Sequence, residues 1–280
     1  MVKRNLRGAR ALVTGASSGI GRELVLELAR RGCSTLSLAR TEEELRKLVD
    51  EANEIRARAF PDSPEHFYIV GDVCSSDVRE QAVADAVERF EGLDLLVNNA
   101  GAGATLLVEE TSDELACELF DLNFFSPLEL TKTALPALKE SASKGRRPLV
   151  VNVASIVGVR GTPYYGVYGA SKAALIALTD AWRAELCASG VDFLTVAPGT
   201  TATRFFHSLR EDKGRPNLPK HAPADPKAVA VEIASAAERG AKRIVPASKS
   251  AKALGFFSRH FPALIDDLMK NCASETKASR

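Results

Sequence analysis

A tyrosine and a lysine stand four residues apart in Tyr168-Gly-Ala-Ser-Lys172, within a stretch of helical periodicity. Residues at i and i+4 share a helix face, about 5–6 Å apart at Cβ, so the phenol and the ammonium look into one space. A phenol of ordinary pKa near 10 is a poor acid or base at neutral pH. A neighbouring cation favours phenolate and is expected to draw that value toward the working range. Ser155 closes an apolar run earlier in the chain. If that run is a parallel strand, Ser155 lies at the carboxyl edge of the sheet, where open α/β sheets bind ligands. A hydroxyl, a phenol and an amine together suit proton transfer to or from an oxygen.

A second constellation lies near the start. The apolar run Ala11-Leu-Val13 leads directly into Thr14-Gly15-Ala16-Ser17-Ser18-Gly19-Ile20-Gly21 and then a helical pattern. Gly15 permits a sharp turn, while Gly19 and Gly21 let the backbone approach a ligand and the helix approach a sheet. The helix start offers unpaired amides and partial positive charge, which suits a pyrophosphate. Where the next apolar run ends, folds that bind NAD usually place an acid on the ribose 2′-hydroxyl. Here that position is Arg40, whose guanidinium would instead pair with a 2′-phosphate, favouring NADP(H) over NAD(H). The octet also contains Gly15-Ala16-Ser17-Ser18-Gly19, a formal G-x-S-x-G nucleophile elbow, and so admits a serine hydrolase. Such an elbow normally follows several strands and an oxyanion loop; one strand precedes it here. His66, His207, His221 and His260 include no evident triad partner.

The elements that must position these groups alternate along the chain. Apolar runs at 11–13, 34–39, 67–70, 93–97, 149–153, 193–196 and 243–245 read as strands. Helical patterns fall between them at about 23–30, 45–55, 78–90, 112–140, 164–189 and 226–240. Thr41-Glu-Glu-Glu44 has the form of a capping box. Continuous Val/Leu-rich runs mean strands covered on both faces, so the expectation is a Rossmann-like, doubly wound parallel sheet of about seven strands in one domain spanning 1–280. Residues 199–224 break the pattern and read as a long loop or substrate lid. An amphipathic patch from Leu254 to Met269 follows, its polar end expected to fray. Trp182 reads as a packing residue. His207 and His221 read as solvated loop residues.

Composition narrows the choice. The chain has 280 residues, 45% hydrophobic and 26% charged, with a formal net charge of +1. That supports a large core and lacks the basic footprint of nucleic-acid binding. No run approaches the ~18 apolar residues of a membrane span. Lys3, Arg4, Arg7 and Arg10 read as a solvated lead-in, because the apolar stretch behind them is too short for a signal peptide. Five dispersed cysteines without a CxxC pair suit reduced thiols and a cytoplasmic location, with no metal expected.

Taken jointly, TGASSGIG at 14–21, Asp72-Val73, Asn98-Asn99-Ala100-Gly101, Asn123, Ser155, YGASK at 168–172 and Pro198-Gly199 resemble the short-chain dehydrogenase/reductase family over about residues 8–246. The resemblance implies a nicotinamide-dependent oxidoreductase interconverting a carbonyl and a secondary alcohol. It implies Tyr168 as acid/base, Lys172 on the nicotinamide ribose, Ser155 on the substrate oxygen and Asn123 holding a water. It further implies Gly15, Ser17, Ser18, Gly19 and Ile20 around the diphosphate, and Asp72 and Val73 beside adenine. Asn99 and Gly101 would support the strand next to the cofactor, and Pro198, Thr201 and Thr203 would approach nicotinamide and diphosphate. Tyr165, Phe205 and Phe206 are candidates for a hydrophobic substrate mouth. A homodimer or homotetramer is implied as well. The alternative is a non-catalytic NADP(H)-binding regulatory or interaction protein of the same fold.

Overall fold

The computed structural model describes residues 3–207, 209–213, 222–246 and 249–278, apart from the side chains of 206, 207, 249–252, 259 and 272–278. Seven parallel strands form one sheet in the order β3-β2-β1-β4-β5-β6-β7. They are β1 Arg10–Thr14, β2 Ser34–Ala39, β3 Phe67–Val70, β4 Leu95–Asn98, β5 Leu149–Val153, β6 Asp192–Val196 and β7 Arg243–Ile244. The order reverses between β1 and β4, so their carboxyl ends diverge and leave a crevice. Helices cover both faces: α1 Gly19–Arg30, α2 Glu42–Ala59, α3 Ser76–Phe90, α4 Asp113–Phe120, α5 Ser126–Ser143, α6 Ile156–Val159, α7 Gly166–Glu185 and α8 Pro226–Glu238. Two more, α9 Lys249–His260 and α10 Pro262–Ala278, follow the sheet.

Burial explains the unbroken apolar strands. One core, on the side of α1, α2 and α8, gathers Val13, Leu24, Leu28, Leu45, Val97, Val151 and Ile233. The other, on the side of α3, α5 and α7, gathers Leu12, Leu36, Leu96, Val150, Leu130 and Phe193. Trp182 of α7 belongs to the second and stacks on Phe193 at 5.7 Å between centroids, a packing residue as expected.

Several local expectations are corrected. Thr41 stands at the N-cap of α2 but its side chain makes no capping bond. The orphan amides there rely on the charge of Glu42, Glu43 and Glu44 in the first turn. The single helix expected over 112–140 is two helices joined by a π-turn, Asp121–Phe125. Arg4 and Arg10 are not solvated. Arg4 is 8% exposed and donates to Asp192 Oδ2 at 2.6 Å and to the carbonyls of Arg147 and Ala237. Arg10 forks onto both oxygens of Asp94 at 2.7 and 2.9 Å. Each buried guanidinium thus has partners for its donors, which offsets its desolvation. Helix α10 runs on past the amphipathic patch, to Ala278.

His66, just before β3, is 2% exposed. Its Nδ1 accepts the Thr35 amide at 3.2 Å, while Nε2 is buried with no partner among the described residues. Burial pushes its pKa down to about 4. The neutral ring therefore favours folding above the ordinary value of 6.5, and that contribution is lost as pH falls toward 4. Wild type should lose about 2 kcal/mol more stability between pH 7 and pH 4.5 than His66→Leu, at 1.36 kcal/mol per pKa unit. Urea titrations of both at the two pH values check this; parallel losses would contradict it.

Candidate active site

The crevice at the carboxyl edge is built first from β1 and β4. Thr14 Oγ1 donates to the Val97 carbonyl at 3.2 Å and accepts the amides of Asn99 and Ala100, both at 3.0 Å. Asn99 Nδ2 donates to the carbonyls of Thr14 and Gly15 at 3.0 and 3.2 Å. This lattice clamps the first turn of the glycine loop. Gly15 has φ +64°, and a Cβ there would meet the Ala100 Cα at 2.8 Å. Gly19 has φ +57° and lies directly beneath the Thr203 side chain. Ser18 caps α1 with no side-chain bond, so the first-turn amides remain available to a ligand. An open cleft there is lined by Ser18, Gly19, Glu23, Ala202, Thr203 and Arg204. A cradle too narrow for any Cβ, with free amides and a helix N-terminus, fits a diphosphate.

Around this cleft the remaining predicted cofactor residues spread along the same edge. Arg40 follows β2, exposed and without an ion pair among the described residues. Asp72 follows β3 and accepts the Cys74 amide at 2.9 Å; Val73 beside it is 7% exposed. The Pro198 carbonyl accepts the Ile156 amide, tying the segment after β6 to α6. Thr201 is buried and bonds the Gly199 carbonyl.

The three chemical groups meet at the end of β5. Ser155 is the N-cap of α6, a helix absent from the sequence reading, and its Oγ accepts the Val157 amide. Its hydroxyl lies close enough to the Tyr168 phenol to hold that group's pKa down. Lys172 is 4% exposed, and its Nζ donates to the Val153 carbonyl at 3.1 Å. Among the described residues its two other ammonium donors have no hydrogen-bond partner, which leaves them to another oxygen. Asn123 sits in the π-turn, fully buried. It accepts the Ala102 amide through Oδ1 and donates from Nδ2 to the Ala102 carbonyl and Ser171 Oγ. A Cβ on Gly101 would stand 2.8 Å from Asn123 Oδ1 and 3.0 Å from Lys172 Nζ, so glycine is required where the two groups approach.

The expected electrostatics are corrected here. Burial pushes the Tyr168 phenol up to about 12, opposed by the nearby Ser155 hydroxyl. Lys172 is itself lowered by burial, to about 8. Desolvation outweighs the cation because both groups lie under apolar cover. That cover comprises Ala102, Ala104, Leu106 and Leu115, with Tyr165 and Phe205 packed against it. Phe205 lies 5.6 Å from the Tyr168 ring, and Tyr165 6.4 Å. The Phe206 side chain, like those of His207 and His221, lies outside the described residues.

The segment carrying Phe205 is pinned down. Thr105 donates its amide to Glu211 and accepts from Lys213, while Arg210 pairs with Glu118 at 2.8 Å. So Phe205 both docks the segment and covers Tyr168.

Sequence reading missed a polar chain beneath these groups. Asn98 Nδ2 donates to Thr131 Oγ1 and Asn152 Oδ1, and Asn152 Nδ2 donates to Thr179 Oγ1. All four are buried. Asparagines inside otherwise apolar strands were the available signal, since a buried amide must find partners.

Among the described residues no histidine hydrogen-bonds Ser17; His66 is engaged by Thr35. A family profile described as short chain dehydrogenase matches residues 9–214. The chain belongs to the short-chain dehydrogenase family. As an oxidoreductase of this family it is 31% identical to a 3-oxoacyl-(acyl-carrier-protein) reductase of Thermotoga maritima, over 74% of this chain and 79% of that one. A human hydroxysteroid 11-beta-dehydrogenase 1-like protein is 33% identical over 78% of this chain and 66% of its own length. Among solved structures, an alcohol dehydrogenase of Thermococcus sibiricus complexed with 5-hydroxy-NADP superposes at TM-score 0.72, with 28% identity over 85% of this chain and 95% of that one. Among the described residues, no helix of this dehydrogenase is long and apolar enough to cross a membrane.

Proposed function

We propose that the protein is an NADP(H)-dependent carbonyl reductase and alcohol dehydrogenase using Tyr168 as its acid and base. The observation that carries this is the meeting of Ser155, Tyr168 and Lys172 at the sheet edge that also bears the Gly15–Gly19 cradle. A nicotinamide cofactor, when bound, supplies or accepts the hydride. Tyr168 gives its proton to the carbonyl oxygen in reduction and takes one from the alcohol in reverse. Ser155 orients that oxygen through its hydroxyl. Lys172 offers its two spare donors to ribose hydroxyls, and Asn123 steadies a water beside it. Ser17, Ser18 and Ile20 present backbone to the diphosphate with Thr203 above, and Asp72 and Val73 flank the base. Arg40, an exposed guanidinium at the end of β2, would meet a 2′-phosphate. Tyr165 and Phe205 line the substrate side, which favours an apolar carbonyl compound. The presence of Asn123, Ser155, Tyr168 and Lys172 together argues against a non-catalytic binder. We further place it in the cytoplasm as a homodimer or homotetramer.

The test is turnover of NADPH and NADH with a panel of ketones, quinones and 3-oxoacyl thioesters. Oxidation of NADPH on at least one of them is expected. A protein that binds NADPH tightly yet turns over none would overturn the catalytic reading and favour the binder.

A further inference from the structure

We infer that α9 and α10 form a docking surface for an anionic lipid bilayer. Ile265 and Met269 of α10 are buried against the body, each 6% exposed. The opposite line is apolar and wet: Phe257, Phe261, Leu264 and Leu268 recur at i, i+4, i+7 and i+11, exposed by 42, 53, 64 and 45%. Phe256 beside them is 58% exposed. The Phe261 amide donates to the Phe257 carbonyl and the Ile265 amide to Phe261, so helical bonding carries the line across the junction. Clustered apolar exposure of this kind marks a binding surface, unlike single scattered residues.

The charge pattern selects the occupant. The sequence of α9, KSAKALGFFSRH, contains two lysines and an arginine and no acid. On α10, whose acids are Asp266, Asp267 and Glu275, Asp266 pairs with Arg160 and Asp267 with Lys270, and Glu275 stands two residues from Lys277 in the sequence. An aromatic, aliphatic and basic helix lying along a surface fits anionic headgroups. The stripe offers roughly 500 Å² of side chain, at ~150–250 Å² for a whole aromatic and these exposures. That is about the apolar share of the ~800 Å² per partner in a stable protein dimer, so area alone does not choose between a second copy and a bilayer, and the charge pattern does. The pair also packs beside α6, with Val159 close to Gly255, so the docked face neighbours the helix capped by Ser155.

The purified full chain is floated with vesicles of equal parts phosphatidylglycerol and phosphatidylcholine, and with phosphatidylcholine alone. Binding to the first is expected, weakened by high salt and far lower on the second. The variant Phe257→Ser/Leu264→Ser/Leu268→Ser should lose about tenfold or more of the bound fraction, as burying apolar groups drives insertion. Its NADPH affinity should stay unchanged, since none of the three lines the cleft at the glycine loop, and far-ultraviolet circular dichroism should show that it stays folded. Failure to bind either vesicle, or equal binding by the variant, would overturn the inference. So would self-association abolished by the variant without vesicle binding, which assigns the stripe to a second copy.

Discussion

Tyr168→Phe is expected to lower carbonyl reduction by about 10²–10⁴-fold, the range of a positioned general acid. The ring keeps its contact with Phe205 and its place in the apolar cluster, so folding and NADPH affinity should change little. The hydroxyl beside Ser155 is what disappears. Stopped-flow or steady-state NADPH oxidation, beside a fluorescence titration of NADPH binding, separates the two effects. A variant that keeps its kcat refutes the role. The pKa values set the pH dependence of the wild type. With the phenol at about 12, Tyr168 is protonated throughout the neutral range and ready to donate. Oxidation requires phenolate, so the alcohol-to-carbonyl rate should climb with pH relative to reduction. Lys172, at about 8, is an ammonium below that value and loses charge as pH rises through it. Reduction should therefore fall on the alkaline side near pH 8, well before the phenol titrates. A reduction profile flat from neutral into strongly alkaline solution contradicts that assignment.

Sequence periodicity was enough for the sheet, because a strand covered on both faces has no polar alternation to confuse it. Ser34–Ala39, Phe67–Val70 and Leu149–Val153 fall where their apolar runs end. The i, i+4 rule likewise carried Tyr168 and Lys172 onto one face. What escaped depends on contacts between distant segments. The π-turn that holds Asn123 leaves no mark in local periodicity, since the residues on either side read as one continuous helix. α6 spans four residues and is tied by its Ile156 amide to Pro198 after β6, which no local pattern reveals. Tyr164 shows the same limit: it adopts φ +67° while its carbonyl accepts the Leu106 amide, a strain imposed by a partner far away in sequence. The sign of the Tyr168 shift was misread for a related reason. Spacing shows that a cation is near, but only packing shows how dry both groups are.

Arg40→Asp should reverse cofactor preference, and its size follows from what is lost and gained. A guanidinium on a phosphate makes charge-assisted hydrogen bonds worth about 1.5–3 kcal/mol each, so removing two weakens NADPH binding by about 10²-fold or more. The new carboxylate adds repulsion against the 2′-phosphate but can accept from a 2′-hydroxyl, so NADH binding should hold or improve. The ratio of kcat/KM for NADPH to NADH should then fall by two or more orders of magnitude. Stability should shift by no more than about 0.5 kcal/mol, because Arg40 is exposed and has no ion pair among the described residues. Salt offers an independent reading: NADPH affinity of the wild type should weaken with ionic strength more steeply than that of the variant. If the ratio stays where it was, Arg40 is not the selector, and Arg22 is poorly placed to replace it, held by Glu23 and Glu51. The preference would then lie in the backbone of the Gly15–Gly19 turn, which no single charge reversal can move.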